Sequence, residues 1–559
     1  MNAHWRFDPR RRLFLKSAAG LGAAGLVGPW PGAWAQAVDP WNQADDIVAR
    51  IQPPNIPNRA FAITRFGAVG DGVTDCSAAI AAAVAACVAV GGGRVIVPEG
   101  TYLTGPVRLR SRVELHLVGG AMLLFSTDPH RYPNVLTRWE GNDVFNYSPL
   151  IYAFRETDIA ITGEDASSIL DGQASTSNWW SFVAPPNPAG LDSLALKQQG
   201  AVPLPLGTPV TPIQNRVYGI DANGVQHFLR PPLIGPYGCE RVLIEGVTLH
   251  RSPFWQMHPL LCKSVIIRNV TASSPGPNND GCDPESCTDV LIEDCTFDTG
   301  DDCIAIKAGR GYDAMPASVA PGGIGDGLAT LVIDGKNALP PWVSYPTTCQ
   351  NLVIRDCTMQ SGHGGVTLGS EMSGGVNNVF AEDLDMLSST LDIALRFKTN
   401  TWRGGFMTNY YARNINVPNG VSASNGVITI DYFYSANSSD KPQDAGPFIP
   451  RTDNINVSNL NVPAGKSKWA FNLRGYSAVN TPCGTGPIPL ACVPIAGADD
   501  KLIIDPIGSI SVSDSTFNVA TATTGTFPFG DQVQAVSALI LSNVVRNGVA
   551  LPDGKQVAP

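Results

Sequence analysis

Two acidic turns stand about one repeat apart in this sequence: Asn278-Asn279-Asp280-Gly281-Cys282-Asp283 and Gly300-Asp301-Asp302. The stretch between them, residues 290–297, reads as a short strand bounded by turn residues. If the chain coils, the two turns lie side by side and crowd at least three carboxylates into one patch. Like charges held close raise each other's pKa values and leave one carboxyl protonated near neutral pH. One protonated acid beside ionised partners is the equipment for glycoside hydrolysis. An acidic surface turn or a calcium loop is the other reading of the same residues. Further along come Gly362-His363-Gly364, the segment Gly369-Ser370-Glu371-Met372-Ser373-Gly374-Gly375, and Arg396-Phe397-Lys398. On a strand Arg396 and Lys398 point to the same side, a geometry suited to clamping one carboxylate. Taken alone, a basic strand or a lone histidine is more often structural.

What must position these residues is a repeat. Cys239-Glu240-Arg241-Val242-Leu243-Ile244-Glu245-Gly246 aligns with copies headed by Cys262, Cys287 and Cys349, and weaker copies begin near Val376, Met407, Arg451 and Ile507. One copy cannot bury its apolar face alone, so copies must stack. Copies this short, with no helix between them, predict an all-β, single-domain right-handed parallel β-helix, its hand set by crossover chirality. A β-propeller is the alternative, but its blades run about 40 residues or more. An Ala-rich helix over 76–90, capped by Thr74 or Asp75, covers the open N-terminal edge of the solenoid. Residues 36–60 read as an irregular lead-in, and the solenoid spans 61–559. Gly/Pro-rich insertions at 176–216, 310–348, 435–450 and 475–500 interrupt the repeat, and in a solenoid these map to loops, often on the binding face.

Composition narrows the class. Among 559 residues, 57 are Gly and 45 Pro while only 15% are charged, which argues for a turn-rich β protein. Arg11-Arg12-Leu13-Phe14-Leu15-Lys16, a short apolar run and Ala33-Trp34-Ala35 read as a twin-arginine export leader over residues 1–35. The formal net charge is −10 and becomes more negative without that leader, which excludes non-specific nucleic-acid binding. No long apolar run predicts a membrane span. Twelve cysteines could form disulfides in an exported protein. Several fall in the repeat register, where a buried stack of thiols is the simpler expectation. Cys483 and Cys492, bracketing a Gly/Pro-rich loop, are the best candidate pair for a bridge.

In order, Asn278-Asn279-Asp280, Gly300-Asp301-Asp302, Gly362-His363-Gly364 and Arg396-Phe397-Lys398 resemble the N-T-D, G-D-D, G-H-G and R-x-K motifs of glycoside hydrolase family 28, the polygalacturonases. The resemblance covers roughly residues 61–465 and takes in the FGAVGDGVTD stretch ending at Asp75. Asn279 stands where the family has Thr, and Gln360-Ser361 where many members have Gly-Pro. The resemblance implies an inverting hydrolase of α-1,4-galacturonosyl linkages in pectin. Asp301 would be the general acid, Asp280 and Asp302 would hold and deprotonate the attacking water, and His363 would support the acid. Arg396, Lys398 and Asn278 would bind substrate, the two cations taking its carboxylate. It implies an anionic polysaccharide as partner, no metal or other cofactor, a monomer, and a periplasmic or secreted site of action. A basic pair in an acidic protein fits an anionic sugar. Inversion asks for acid and base roughly 6.5–9.5 Å apart. Three rivals remain: a rhamnogalacturonan hydrolase of the same family, whose members tend to lack the His and the R-x-K; a calcium-dependent pectate lyase; and a non-enzymatic carbohydrate-binding β-helix. The insertions at 176–216 and 310–348 predict walls that close the groove and force attack at a chain end.

Overall fold

The computed structural model describes residues 39–183, 192–193, 195–196, 211–315, 327–422, 424–434, 450–463, 465–475, 507–520 and 531–556. The aligned copies are stacked strands. Glu240 pairs with Lys263, Lys263 with Thr288 and Thr288 with Gln350, all parallel, in the register in which the copies align by sequence. The ladder runs on through Val376, Met407, Thr452 and Val536. The copy expected near Arg451 starts one residue later, at Thr452. Each rung turns apolar side chains inward; Val242, Val265, Val290, Leu352 and Val379 are all buried. The β-helix core is this column of stacked apolar side chains.

The polar residue that follows each apolar strand is a backbone requirement. Asn269, Asp294, Asp356, Asp383, Asn414 and Asn459 all hold φ between 51° and 56°. Among non-glycine residues, Asn and Asp tolerate this left-handed conformation best. Side chains in this row then bond from coil to coil, as Asn459 Nδ2 does to Asn414 Oδ1 at 2.9 Å and Asn414 Nδ2 to Asp383 Oδ1 at 2.9 Å. One outer row alternates in sign: Glu245, Arg268, Glu293, Arg355, Glu382, Arg413. Arg268 donates to Glu245 at 2.7 Å and Arg355 to Glu293 at 2.6 Å. Such half-exposed pairs are each worth little, but a slip by one coil would set like charges together, so the row disfavours wrong stacking. The cysteines heading the copies stack as expected: Cys239 N–H meets Cys262 Sγ and Cys262 N–H meets Cys287 Sγ, each at 3.4 Å. These thiols are buried and free. Cys483 and Cys492 lie outside the described residues, as does the leader.

The expected N-terminal helix is present as Ser77–Ala89. Asp75 Oδ1 accepts the Ser77 N–H at 3.0 Å, and Ile80, Ala83 and Cys87 enter the core. The lead-in corrects the sequence reading. Residues 36–60 are not irregular throughout, because Pro40–Arg50 forms a helix. Proline suits the first helical position, and Trp41, Ala44, Ile47, Val48 and Ile51 recur at helical spacing. That stripe packs on an outward-facing apolar row formed by Leu243, Ile266, Leu291, Val353, Phe380 and Tyr411. Among the described residues no helix is long and apolar enough to cross a membrane.

A second parallel sheet carries the basic pair. Its strands Ile304–Ile306, Val366–Gly369, Leu395–Lys398 and Gly426–Asp431 follow one another, with Thr367 beside Arg396 and Gly369 beside Lys398. An antiparallel hairpin, Asn134–Trp139 with Asn142–Tyr147, stands apart from both parallel sheets.

Candidate active site

The coil brings both acidic turns together. One carboxylate oxygen each from Asp280, Asp301 and Asp302 lies within 4.8 Å of the others. Their surroundings differ. Asp302 has no exposed surface and receives Lys398 Nζ at 2.6 Å and Arg396 Nη1 at 3.1 Å. Burial pushes this carboxyl upward, but Lys398 and Arg396 outweigh it and hold the group well below the usual carboxylate range. Asp280 is buried without so close a partner; burial and the neighbouring Asp301 push it up to about 7. Asp301 keeps some contact with solvent, and its Oδ1 takes the Asp302 N–H at 2.9 Å and His363 Nδ1 at 3.0 Å. That bond to Asp301 raises the His363 pKa above its ordinary value.

The glycines flanking His363 are steric necessities. A Cβ on Gly364 would lie 2.7 Å from Asp302 Oδ1, and one on Gly362 would lie 2.5 Å from the Asp301 carbonyl. The Asn-Asn-Asp turn is fixed from within. Buried Asn279 donates through Nδ2 to the Phe254 carbonyl at 3.1 Å, and the Ser274 hydroxyl donates to its Oδ1. Asn278 adopts φ 54° and accepts from Arg230 Nη2 at 2.7 Å.

Asp280, Asp301, Lys398 and Asn278 line a cavity of about 330 Å³ together with Trp139, Glu140, Phe182, Val183, Ser193, Phe228, Arg230, Trp255, Lys307, Glu371 and Tyr434. Aromatic faces beside a few converging polar groups suit a sugar ring. The insertion at 176–216 supplies Phe182, Val183 and Ser193 to this wall, anchored by Trp179 in the core. The described part of the insertion at 310–348 lines none of the cavity; Leu328 and Ala338 pack instead beside Leu136 and Tyr152.

Four features depart from the sequence reading or were missed by it. Arg396 and Lys398, expected to clamp a substrate carboxylate, both engage Asp302, because the same side of the strand faces the carboxylate of the Gly-Asp-Asp turn. The oxygens of the three acids approach more closely than the 6.5–9.5 Å gap expected between an inverting acid and base. Lys307 has no place in the four motifs and Glu371, inside the singled-out Gly369–Gly375 segment, was given no role, yet Lys307 Nζ lies 3.5 Å from Asp280, 3.2 Å from Asp283 and 3.3 Å from Glu371, and 4.5 Å over the Trp255 ring. A single lysine at the end of an Ile-Ala-Ile strand has no sequence signal beyond its register. The hairpin that delivers Trp139 and Glu140 to the cavity was also missed. Its buried Arg138–Asp143 pair at 2.8 Å is a tertiary feature that no local pattern announces.

Residues 229–330 match the family model described as "Glycosyl hydrolases family 28", and residues 60–128 match one described as "Rhamnogalacturonase A/epimerase, pectate lyase-like". The structure of a hyperthermoactive exopolygalacturonase from Thermotoga maritima is similar over 93% of this chain and 99% of that one, at 34% identity and a TM-score of 0.70. A Vitis vinifera protein named "Probable polygalacturonase" is 31% identical over 63% of this chain and 59% of its own length. The exo-poly-alpha-D-galacturonosidase of Dickeya chrysanthemi is 25% identical over 66% of this chain and 57% of its own length. The chain thus spans less than two thirds of these two curated relatives.

Proposed function

This chain belongs to glycosyl hydrolase family 28, and we propose that it hydrolyses the α-1,4-galacturonosyl linkages of pectin or polygalacturonate with inversion. The observation that carries this reading is that Asp280 and Asp301, which line the cavity, and fully buried Asp302 behind them bring one oxygen each within 4.8 Å of one another in three unequal surroundings. Carboxylates whose environments differ can divide into acid and base. Asp301, the most accessible of the three, protonates the leaving oxygen, with His363 hydrogen-bonded behind it. Asp280 and Asp302 hold and deprotonate water. A water bonded to both needs about 2.8 Å to each, so oxygens within 4.8 Å suit a shared nucleophile. Arg396 and Lys398 keep Asp302 ionised and add positive charge for the substrate's carboxylate. Asn278 binds the sugar at the rim.

Attack at a chain end is the preferred mode. It is supported by the wall of Phe182, Val183 and Ser193 and by the exo-acting relatives. The proposal extends to export by the twin-arginine leader and to action as a monomer. A time course on polygalacturonate, following viscosity and reducing ends together, tests it. Mono- or digalacturonate released while viscosity falls slowly is expected. A rapid viscosity drop at low reducing-end release overturns exo-action, and unsaturated products overturn hydrolysis.

A further inference from the structure

Among the fully buried carboxyls that the mechanism above leaves unused is that of Asp283, three residues after Asp280. Asp283 has no exposed surface and does not line the cavity, whereas Asp280 does. Among the described residues, no N–H or O–H reaches either Asp283 oxygen in full hydrogen-bond geometry. The nearest cation, Lys307 Nζ, sits 3.2 Å from Oδ1 but is shared with Asp280 at 3.5 Å and Glu371 at 3.3 Å. Glu371 has its own partner in Arg403 Nη1 at 2.6 Å. Asp280 and Asp283 are therefore left to divide one ammonium, which lies within 3.5 Å of an oxygen of each. Two ionised carboxylates sharing one ammonium in a dry site are strongly disfavoured. The pair must hold a proton, and the deeper group, without donors of its own, is where it is held most cheaply.

We propose that Asp283 is a positioning residue: a neutral carboxylic acid that donates a hydrogen bond to Asp280 and keeps that carboxylate ionised and aimed at the attacking water. The proposal rests on the reading of Asp280 as a water-holding base. A hydrogen bond donated to the charged form favours that form, and a buried acid held neutral at pH 7 to act as a donor is a known enzymatic device. It offsets what otherwise works against the base, since burial and the nearby Asp301 and Asp302 push Asp280 up to about 7, with Lys307 and Lys398 opposing. Arg230 also lies close enough to feel the charge of Asp280, and Cys282 that of Asp283.

The test is the pH dependence of kcat and kcat/KM on polygalacturonate for the full-length enzyme and for Asp283→Val, Asp283→Asn and Asp280→Asn. Asp283→Val removes the donor and is expected to lose about tenfold or more in kcat, with the acid limb moved up by about one pH unit. Asp283→Asn, whose amide N–H replaces the carboxyl O–H, is expected to rescue kcat to within about threefold and return the limb. Asp283→Asn as impaired as Asp283→Val, with Asp280→Asn inactive, overturns the proposal alone, because the charge would then be what matters. Asp280→Asn with near-normal activity overturns the base assignment and the proposal with it. If Asp283→Val does not fold, infrared difference spectra of the wild type against Asp283→Asn decide. The carbonyl band of a protonated carboxylic acid is expected at neutral pH in the wild type alone, and its absence overturns the proposal.

Discussion

Lys398 Nζ lies 2.6 Å from Oδ2 of Asp302, a carboxylate with no exposed surface. A basic side chain that sequence reasoning assigns to substrate is thus first a partner of the acidic cluster. The ion pair keeps Asp302 charged where burial alone would neutralise it.

Removing that partner should therefore damage turnover as well as binding. Asp302 is depressed mainly by Lys398 and then Arg396, so losing Lys398 lets its pKa rise. The ionised form required by the base role is then lost at higher pH. Lys398→Met is expected to cut kcat by about 100-fold or more and to move the acid limb of the kcat profile upward. Arg396→Ala, which removes the longer and more exposed contact at 3.1 Å, should show mainly in KM.

The acid role of Asp301 predicts a different signature. Asp301→Asn keeps the shape and removes the proton donor, so kcat should fall by about two to four orders of magnitude while KM for polygalacturonate changes little. Isothermal titration of the inactive variant with oligogalacturonides should show binding retained.

His363 should govern the alkaline side. Its hydrogen bond to Asp301 raises the imidazole pKa, so the imidazolium form persists above the ordinary histidine range and is lost as pH rises through the folded value. His363→Gln is expected to lower kcat by about tenfold or more and to flatten the alkaline limb in a pH–rate profile.

The helix Pro40–Arg50 makes a stability prediction. Ile47 has no exposed surface and packs on Ile266, Leu291 and Val353. Ile47→Ala should cost about 2–5 kcal/mol, read as a lower thermal midpoint with unchanged kcat.

Much of this structure was legible in the sequence because a solenoid repeats its own physics. The copies headed by Cys239, Cys262, Cys287 and Cys349 pair in the register that their alignment implies, since the left-handed corner residue and the alternating apolar positions recur in each. The first three motifs converge because they occupy one corner of neighbouring coils, and Arg396 and Lys398 reach them from the strand that follows that corner in the next coil. What escaped was tertiary. The Pro40–Arg50 helix lies on the outside of a sheet, against a row of residues contributed by six coils. Lys307 and Glu371 acquire meaning only from a lateral register in the second sheet, where Lys307 bridges to Glu285. The direction of Arg396 and Lys398 was readable, but their partner was not, because Asp302 reaches them across about 95 residues of chain.

The stereochemistry of the first product tests the central claim most directly. Proton NMR of polygalacturonate digestion, recorded before mutarotation, reports which anomer is released. An Asp301 acid opposed by water held on Asp280 and Asp302 predicts saturated galacturonate appearing first as the β anomer. The α anomer appearing first would mean that a carboxylate attacks the sugar directly, as the close approach of the three acids within 4.8 Å would then allow, and would contradict the account.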